Sequence, residues 1–351
     1  MHGHASPRTA RLAAAALAAL ALAACDGGPL SPAASPDGAA PRLLAFLGTA
    51  DSAVVAGPDV AAQPWISGAR IAYLGIRGGN HDIYVYDLDT KQETRVSSAA
   101  TMQQSPSISG HWVVYQDRGF EVRAHDLRDS TDFQISPAVG YAETEPSVSG
   151  TRVVYTSNRS TTGNTIYMYD LAANTEVPIR TFPTGTSPMP SALEPEIGGD
   201  LVVWREQWGS PRQEAIMIHD LSTGATRTAV SSPTFLSNPS TDGARVVYED
   251  HRNGNWEIYM FDPATRTETR VTTQAAEQRN PRISGDVVVW EDYRHGNAEI
   301  YAYDLSAGTE HRVTWNAGNQ LRPAISGGRI VWQDGRSYTD TDIYMRVLAG
   351  S

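Results

Sequence analysis

Asn280 to Thr314 reads NPRISGDVVVWEDYRHGNAEIYAYDLSAGTEHRVT, and six further copies of this unit run along the chain. A proline, a variable residue, an aliphatic residue and Ser-Gly or a relative mark each copy. The prolines are Pro64, Pro106, Pro146, Pro195, Pro239, Pro281 and Pro323, at intervals of 42, 40, 49, 44, 42 and 42 residues. A second marker, Ile-Tyr, keeps step at Ile83-Tyr84, Ile166-Tyr167, Ile258-Tyr259, Ile300-Tyr301 and Ile343-Tyr344, with Val122 and Ile216 filling the slot in the two weaker copies. Four strands are legible per unit. The first follows the proline (Arg282-Ile283-Ser284), and the second is a continuous apolar run (Val287 to Trp290). Such β-branched and aromatic runs without polar alternation suit a strand covered on both faces. The third, Glu299 to Asp304, alternates more, and the fourth and outermost is Glu310 to Thr314. Turn chemistry at Ser284-Gly285-Asp286 and Ser306-Ala307-Gly308 joins them as hairpins. Periods of this length with several short strands predict an all-β chain, a seven-bladed β-propeller of four-stranded antiparallel blades.

Counting strands predicts how the ring closes. The seventh unit has its proline, its Ile330 to Trp332 run and its Ile343-Tyr344 strand, but no Arg-Val-Thr strand follows before Ser351. In the other units the outer strand lies about ten residues before the next proline, as Val96 does before Pro106. The same offset before Pro64 falls on Val54, so Ser52-Ala53-Val54-Val55 is expected to complete the last blade and leave no unfinished edge.

Composition narrows the function classes. The chain of 351 residues carries a net charge of −11, and removing residues 1–24 takes away two arginines and no acid, leaving −13. Lys91 is the sole lysine. Phosphate neutralisation needs a basic stripe, so nucleic acid is not an expected partner. The single cysteine, Cys25, excludes an intrachain disulfide. It follows Arg8 and Arg11, an Ala/Leu run from Leu12 to Ala21 that is too short to span a bilayer, and Leu22-Ala23-Ala24. Leu22-Ala23-Ala24-Cys25 resembles a bacterial lipobox. Residues 1–24 are therefore expected to be a lipoprotein signal peptide, and Cys25 the lipidated residue. Residues 25–42, rich in Pro, Gly, Ala and Ser, would be a flexible tether, with the propeller over 43–351. The protein is then expected in the bacterial cell envelope, exported and touching the membrane through its lipid anchor alone.

The motifs Pro-x-Ile-Ser-Gly, Val-Val-[Tyr/Trp]-x-Asp-x-Arg, [Asp/Glu]-Ile-Tyr-x-Tyr-Asp-Leu and Arg-Val-[Ser/Thr] recur in fixed order over residues 51–351. This pattern resembles the TolB-type propeller family, cell-surface propellers in particular. The resemblance implies the fold. It does not imply one activity, because the family includes binding proteins, assembly partners and propellers attached to hydrolases. TolB carries a separate N-terminal domain before a six-bladed propeller, whereas seven units are present here, so TolB's partnership is not carried over. Some relatives are oligogalacturonate lyases, whose ligand constellation has no match in this sequence.

Residues that recur from unit to unit are expected to build blades. Asp117, Asp250, Asp292 and Asp334 follow the second strand, and Arg77, Arg159, Arg252, Arg294 and Arg336 sit two residues beyond that slot. They suit turn-amide acceptance and bridging at the blade rim. A calcium loop over Asp292 to Glu299 lacks EF-hand spacing. The histidines fall at different positions of different units, with no zinc spacing and no nucleophile–base couple. No cofactor, metal or catalytic residue is expected. Binding residues are expected where the copies differ. The residues before the seven prolines, Gln63, Ser105, Glu145, Glu194, Asn238, Asn280 and Arg322, should ring one channel mouth. Tyr141, Trp208, Trp256 and Trp315 are loop aromatics suited to stacking on sugars or peptides. The expected role is a non-catalytic binding or scaffolding module for an envelope protein or glycan. A carbohydrate-active enzyme and a purely structural surface protein are the alternatives.

Overall fold

The computed structural model describes residues 50–97, 101–136, 140–337 and 340–349. Cys25, the expected signal peptide and tether, and residues 43–47 at the start of the expected propeller lie outside them. The chain forms seven four-stranded antiparallel sheets, each numbered here as a blade by its marker proline. Blade 6 is typical, with strands Gln278–Ser284, Val287–Asp292, Glu299–Asp304 and Thr309–Arg312 from the axis outward. The innermost strand is longer than the sequence suggests, starting three residues before its proline.

Closure follows the strand count. Ser52–Val55 pairs antiparallel with Asp342–Val347, with Ser52 opposite Met345, Ala53 opposite Tyr344 and Val55 opposite Ile343. This N-terminal strand is the outer strand of blade 7. Asp51, just before it, fastens the seam: Oδ1 accepts from buried Arg346, and Oδ2 accepts from Arg336 Nη2 at 3.3 Å and Asn316 Nδ2 at 3.0 Å.

The core is not central. It consists of clusters between neighbouring blades, which explains the continuous apolar second strands. In blade 6, Val288 and Trp290 pack toward Val247, Ile258 and Met260 of blade 5. Val289 packs toward Ile330 and Trp332 of blade 7. Both faces of the strand are therefore apolar. Trp204, Trp290 and Trp332 are fully buried, and their indole N–H groups donate to Glu206, Asp292 and Asp334 at 3.3, 3.1 and 2.8 Å.

The repeated polar motifs are joints. The serine of Ser-Gly accepts the glycine N–H of the next blade: Ser67 from Gly110, Ser109 from Gly150, Ser149 from Gly199, Ser284 from Gly327 and, across the seam, Ser326 from Gly68, at 2.9–3.1 Å. Blade 4 has Gly198 where the serine would be. A Cβ there would come within 2.7 Å of Gly243 N and Thr241 O, so direct backbone contact replaces the staple between blades 4 and 5. The Ser or Thr of Arg-Val-[Ser/Thr] accepts the N–H of the isoleucine in the third strand's Ile-Tyr marker, as Thr314 Oγ1 does from Ile300 N at 2.9 Å. At the rim, Asp250, Asp292 and Asp334 are sealed from solvent, and each accepts the side chain and backbone N–H of Arg252, Arg294 or Arg336. Asp87, Asp170, Asp220, Asp262 and Asp304 each accept two successive turn amides. These shared residues build blades, as the repeat implies.

Candidate functional site: the channel mouth

Each innermost strand carries a register shift at its X-Pro step, so all seven blades bulge at the same height. Proline has no N–H to give the ladder, and the bulge accommodates it. The residue before it takes a left-handed backbone in every blade: Gln63, Ser105, Glu145, Glu194, Asn238, Asn280 and Arg322 have φ between 46° and 57°. For residues with a Cβ this conformation costs about 1–2 kcal/mol each. The ring offsets part of that cost by pairing the exposed amides. Ser105 N donates to Gln63 Oε1 at 2.9 Å, Glu194 N to Glu145 Oε2 at 2.8 Å and Asn238 N to Glu194 Oε2 at 2.7 Å. In the later blades the acceptor comes from the neighbouring second strand. Asn280 N donates to Glu249 at 2.6 Å, Arg322 N to Glu291 at 2.7 Å and Gln63 N to Gln333 at 3.4 Å.

All seven of these residues line one cavity of about 240 Å³, together with six of the seven buried prolines behind them. The expected ring exists. The aromatics do not join it: Tyr141, Trp208, Trp256 and Trp315 are absent from its lining. Tyr141, Trp208 and Trp315 are 50%, 37% and 53% exposed and stand in separate sectors. Trp315 lies beside the guanidinium groups of Arg312 and Arg346. Half-buried Trp256 packs with His251 and Phe235, and Arg279 lies 4.5 Å from its ring centroid.

The floor of the cavity was not evident from the pre-proline residues. It is made by residues one place after the proline, a position that reads Trp65, Ser107, Ser147, Glu196, Ser240, Arg282 and Ala324 around the axis and of which Trp65, Ser147, Glu196 and Arg282 line this cavity. Trp65, Glu196 and Arg282 also line a second cavity of about 230 Å³ toward the hairpin face, so they divide the channel in two. Arg282 lies 5.0 Å from the Trp65 ring centroid, and its Nη1 is 4.0 Å from Glu196 Oε2. Glu196 Oε1 accepts Ser240 Oγ at 2.7 Å and Thr241 N at 3.0 Å. Burial raises the Glu196 carboxyl above its ordinary pKa despite Arg282. The signal for this floor was present in the sequence: four copies carry Ser or Ala at the position, and three carry Trp, Glu or Arg.

Charge is divided across the mouth. The acids of the pre- and post-proline positions are on blades 3 and 4 (Glu145, Glu194, Glu196), and the bases are on blades 6 and 7 (Arg282, Arg322). Glu194 is already neutralised by Arg205 at 3.0 Å. Glu145 uses only Oε2, for Glu194 N and Thr156 Oγ1, which leaves Oε1 open to the cavity. Although the residue is exposed, crowding by the walls raises its carboxyl above the ordinary value by desolvation. Arg322 is exposed, and its guanidinium makes no hydrogen bond or ion pair with any described residue. Elsewhere, the acids of the sequence's calcium candidate are occupied by arginines: Arg294 holds Asp292 and Arg312 holds Glu299. Among the described residues, no three His, Cys, Asp or Glu side chains are grouped to hold a metal ion.

No protein-family model matches the chain, and no curated protein matches it. Solved structures do. An oligogalacturonate lyase in complex with manganese is 14% identical with a TM-score of 0.62, over 87% of this chain and 95% of that one. The β-propeller domain of the Trilobed protease from Pyrococcus furiosus, described by an open velcro topology, is 12% identical with a TM-score of 0.64, over 84% and 98%. TolB from Acinetobacter baumannii is 18% identical with a TM-score of 0.50, over 73% of this chain and 66% of that one. At these identities the likeness establishes the β-propeller fold.

Proposed function

We propose that this propeller is a non-catalytic binding module of the bacterial envelope. In this reading it belongs with the TolB-type propellers, is tethered by lipid on Cys25, and takes part of a protein or glycan partner into its channel mouth. The observation that supports this is the contrast inside one ring. Seven positions held in the same backbone conformation carry side chains of different charge and size around a floored cavity. A scaffold that only had to close would have no use for that variety, and a floored cavity with a few convergent polar groups is the usual form of a ligand site. The test uses full-length protein reconstituted in vesicles, with Glu145→Gln and Arg322→Gln variants that leave the rim joints intact. Saturable binding of envelope peptides or glycans, weakened by either variant at unchanged thermal stability, supports the reading. Turnover of an acidic polysaccharide that the same variants abolish would replace it with the enzyme reading. Radiolabelled lipid retained by Cys25→Ala would remove the anchor.

A further inference from the structure

The mouth cavity offers two unsatisfied charges of opposite sign. Among the described residues, Glu145 Oε1 on blade 3 has no donor and the Arg322 guanidinium on blade 7 has no acceptor. In a ring of seven, blades 3 and 7 are three steps apart, the largest separation possible, so the two charges face each other across the axis. Neither has an ion-pair partner of its own among the described residues, Arg205 acting on Glu145 only through space. Glu194 has Arg205, and Glu196 has Arg282. The rest of the rim is uncharged: Gln63 and Ser105 on one side, Asn238 and Asn280 on the other. Below them the floor adds an indole face at Trp65 and a buried Arg282 Nε with no acceptor.

Size limits what can enter. At about 240 Å³ the cavity falls below the roughly 300–1,000 Å³ of sites that enclose drug-sized ligands. It suits a single residue or a very short chain rather than an oligosaccharide. The occupant must also present a cation to one wall and an anion to the other. A carboxylate matches the planar donor fork of arginine, and an ammonium matches a lone carboxylate oxygen.

We propose that the mouth binds a compact zwitterion, a free α-amino acid or a short peptide with both termini free, its ammonium on Glu145 and its carboxylate on Arg322. Trp65 then lies under the side chain or backbone between the two termini. The inference rests on the binding-module reading and gives it a ligand chemistry.

The test is calorimetric titration of the full-length protein with alanine, di-alanine, tri-alanine, N-acetyl-alanine, alanine amide and a neutral disaccharide. At least one free zwitterion is expected to bind, and the preferred length separates an amino acid from a peptide. Capping either terminus should weaken binding about tenfold or more, the scale of one lost charge-assisted hydrogen bond. Glu145→Gln should abolish discrimination against the acetyl cap alone, and Arg322→Gln discrimination against the amide cap alone. Gln at 145 retains an acceptor for the Glu194 amide, so folding is preserved, and unchanged thermal unfolding verifies this. Binding that ignores both caps, or no zwitterion binding at millimolar concentration, overturns the inference. If the disaccharide binds instead, and Arg322→Gln weakens it, the zwitterion inference fails while the binding-module reading stands.

Discussion

At the rim of this propeller, Asp250, Asp292 and Asp334 are sealed from solvent, and each is held by the Nε and Nη2 of an arginine two residues on. At the axis, one repeat position carries Trp65, Glu196 and Arg282 in three blades and serine or alanine in the other four. The two regions share a backbone framework and differ in what is allowed to vary. The rim joint recurs unchanged in three successive blades, 5, 6 and 7, which have the same edge to finish. The axial positions also touch the next blade, but through a different side chain each time: Ser107 Oγ accepts Val148 N at 3.2 Å, Ser147 Oγ accepts Ile197 N at 3.3 Å and Glu196 Oε1 accepts Thr241 N at 3.0 Å, so this contact tolerates a change of residue. Repetition here marks construction, and the break in repetition marks the site.

The contrast is broken most directly at the rim. Arg294→Ala leaves Asp292 with the Trp290 indole and one backbone amide, in a place with no access to water. Leaving a buried charge without its counter-ion costs about 3–5 kcal/mol, which urea unfolding would show as a shifted midpoint. A loss of about 0–1 kcal/mol, the value of an exposed ion pair, would mean that the rim motif is not structural. The seam comes next. Asp51→Ala removes the shared acceptor of Arg346, Arg336 and Asn316, and Arg346 Nε and Nη1 already lack partners. Losing hydrogen bonds to charged groups there should cost about 1.5–3 kcal/mol. It should also speed hydrogen exchange at Ile343 to Met345, the segment paired with the N-terminal strand. Unchanged exchange would mean that the strand ladder holds the seam without its clamp.

Much of this architecture could be read from residues because its signals are local and repeated. A buried run such as Val287 to Trp290, a turn such as Ser284-Gly285 and the missing seventh outer strand need only neighbours in sequence. The role of the Ser-Gly serine could not be read, because its partner glycine is 41–50 residues away in the next blade, or 258 at the seam. The channel floor was missed for a different reason. A regular strand turns alternate residues to opposite faces, but the bulge at each X-Pro step shifts that register, and the proline, which suits a strand start as well as a bulge, does not say which. The left-handed ring is equally hidden, since none of its seven residues is glycine.

That ring supports the smallest and most discriminating prediction. Ser105 stands at φ 52°, and its side chain makes no hydrogen bond; only its amide is paired, to Gln63. Replacing it with glycine removes a backbone penalty of about 1–2 kcal/mol and adds back about 0.5–1 kcal/mol of unfolded-chain entropy. Ser105→Gly should therefore stabilise the protein by up to about 1.5 kcal/mol, whereas Ser105→Ala, which retains the Cβ, should change little. Asn238→Gly supplies the control. Asn238 has the same backbone, but its Nδ2 donates to Glu249 at 2.7 Å. Glycine there relieves the backbone and leaves a buried carboxylate short of one donor, so the gain should vanish. Equal thermal shifts for Ser105→Gly and Ser105→Ala would show that the ring is unstrained. A gain at Asn238→Gly as large as at Ser105→Gly would show that the mouth is held by backbone relief alone. Its side chains would then be free of structural duty, and their variety would reflect ligand recognition even more strongly than the rim-to-axis contrast implies.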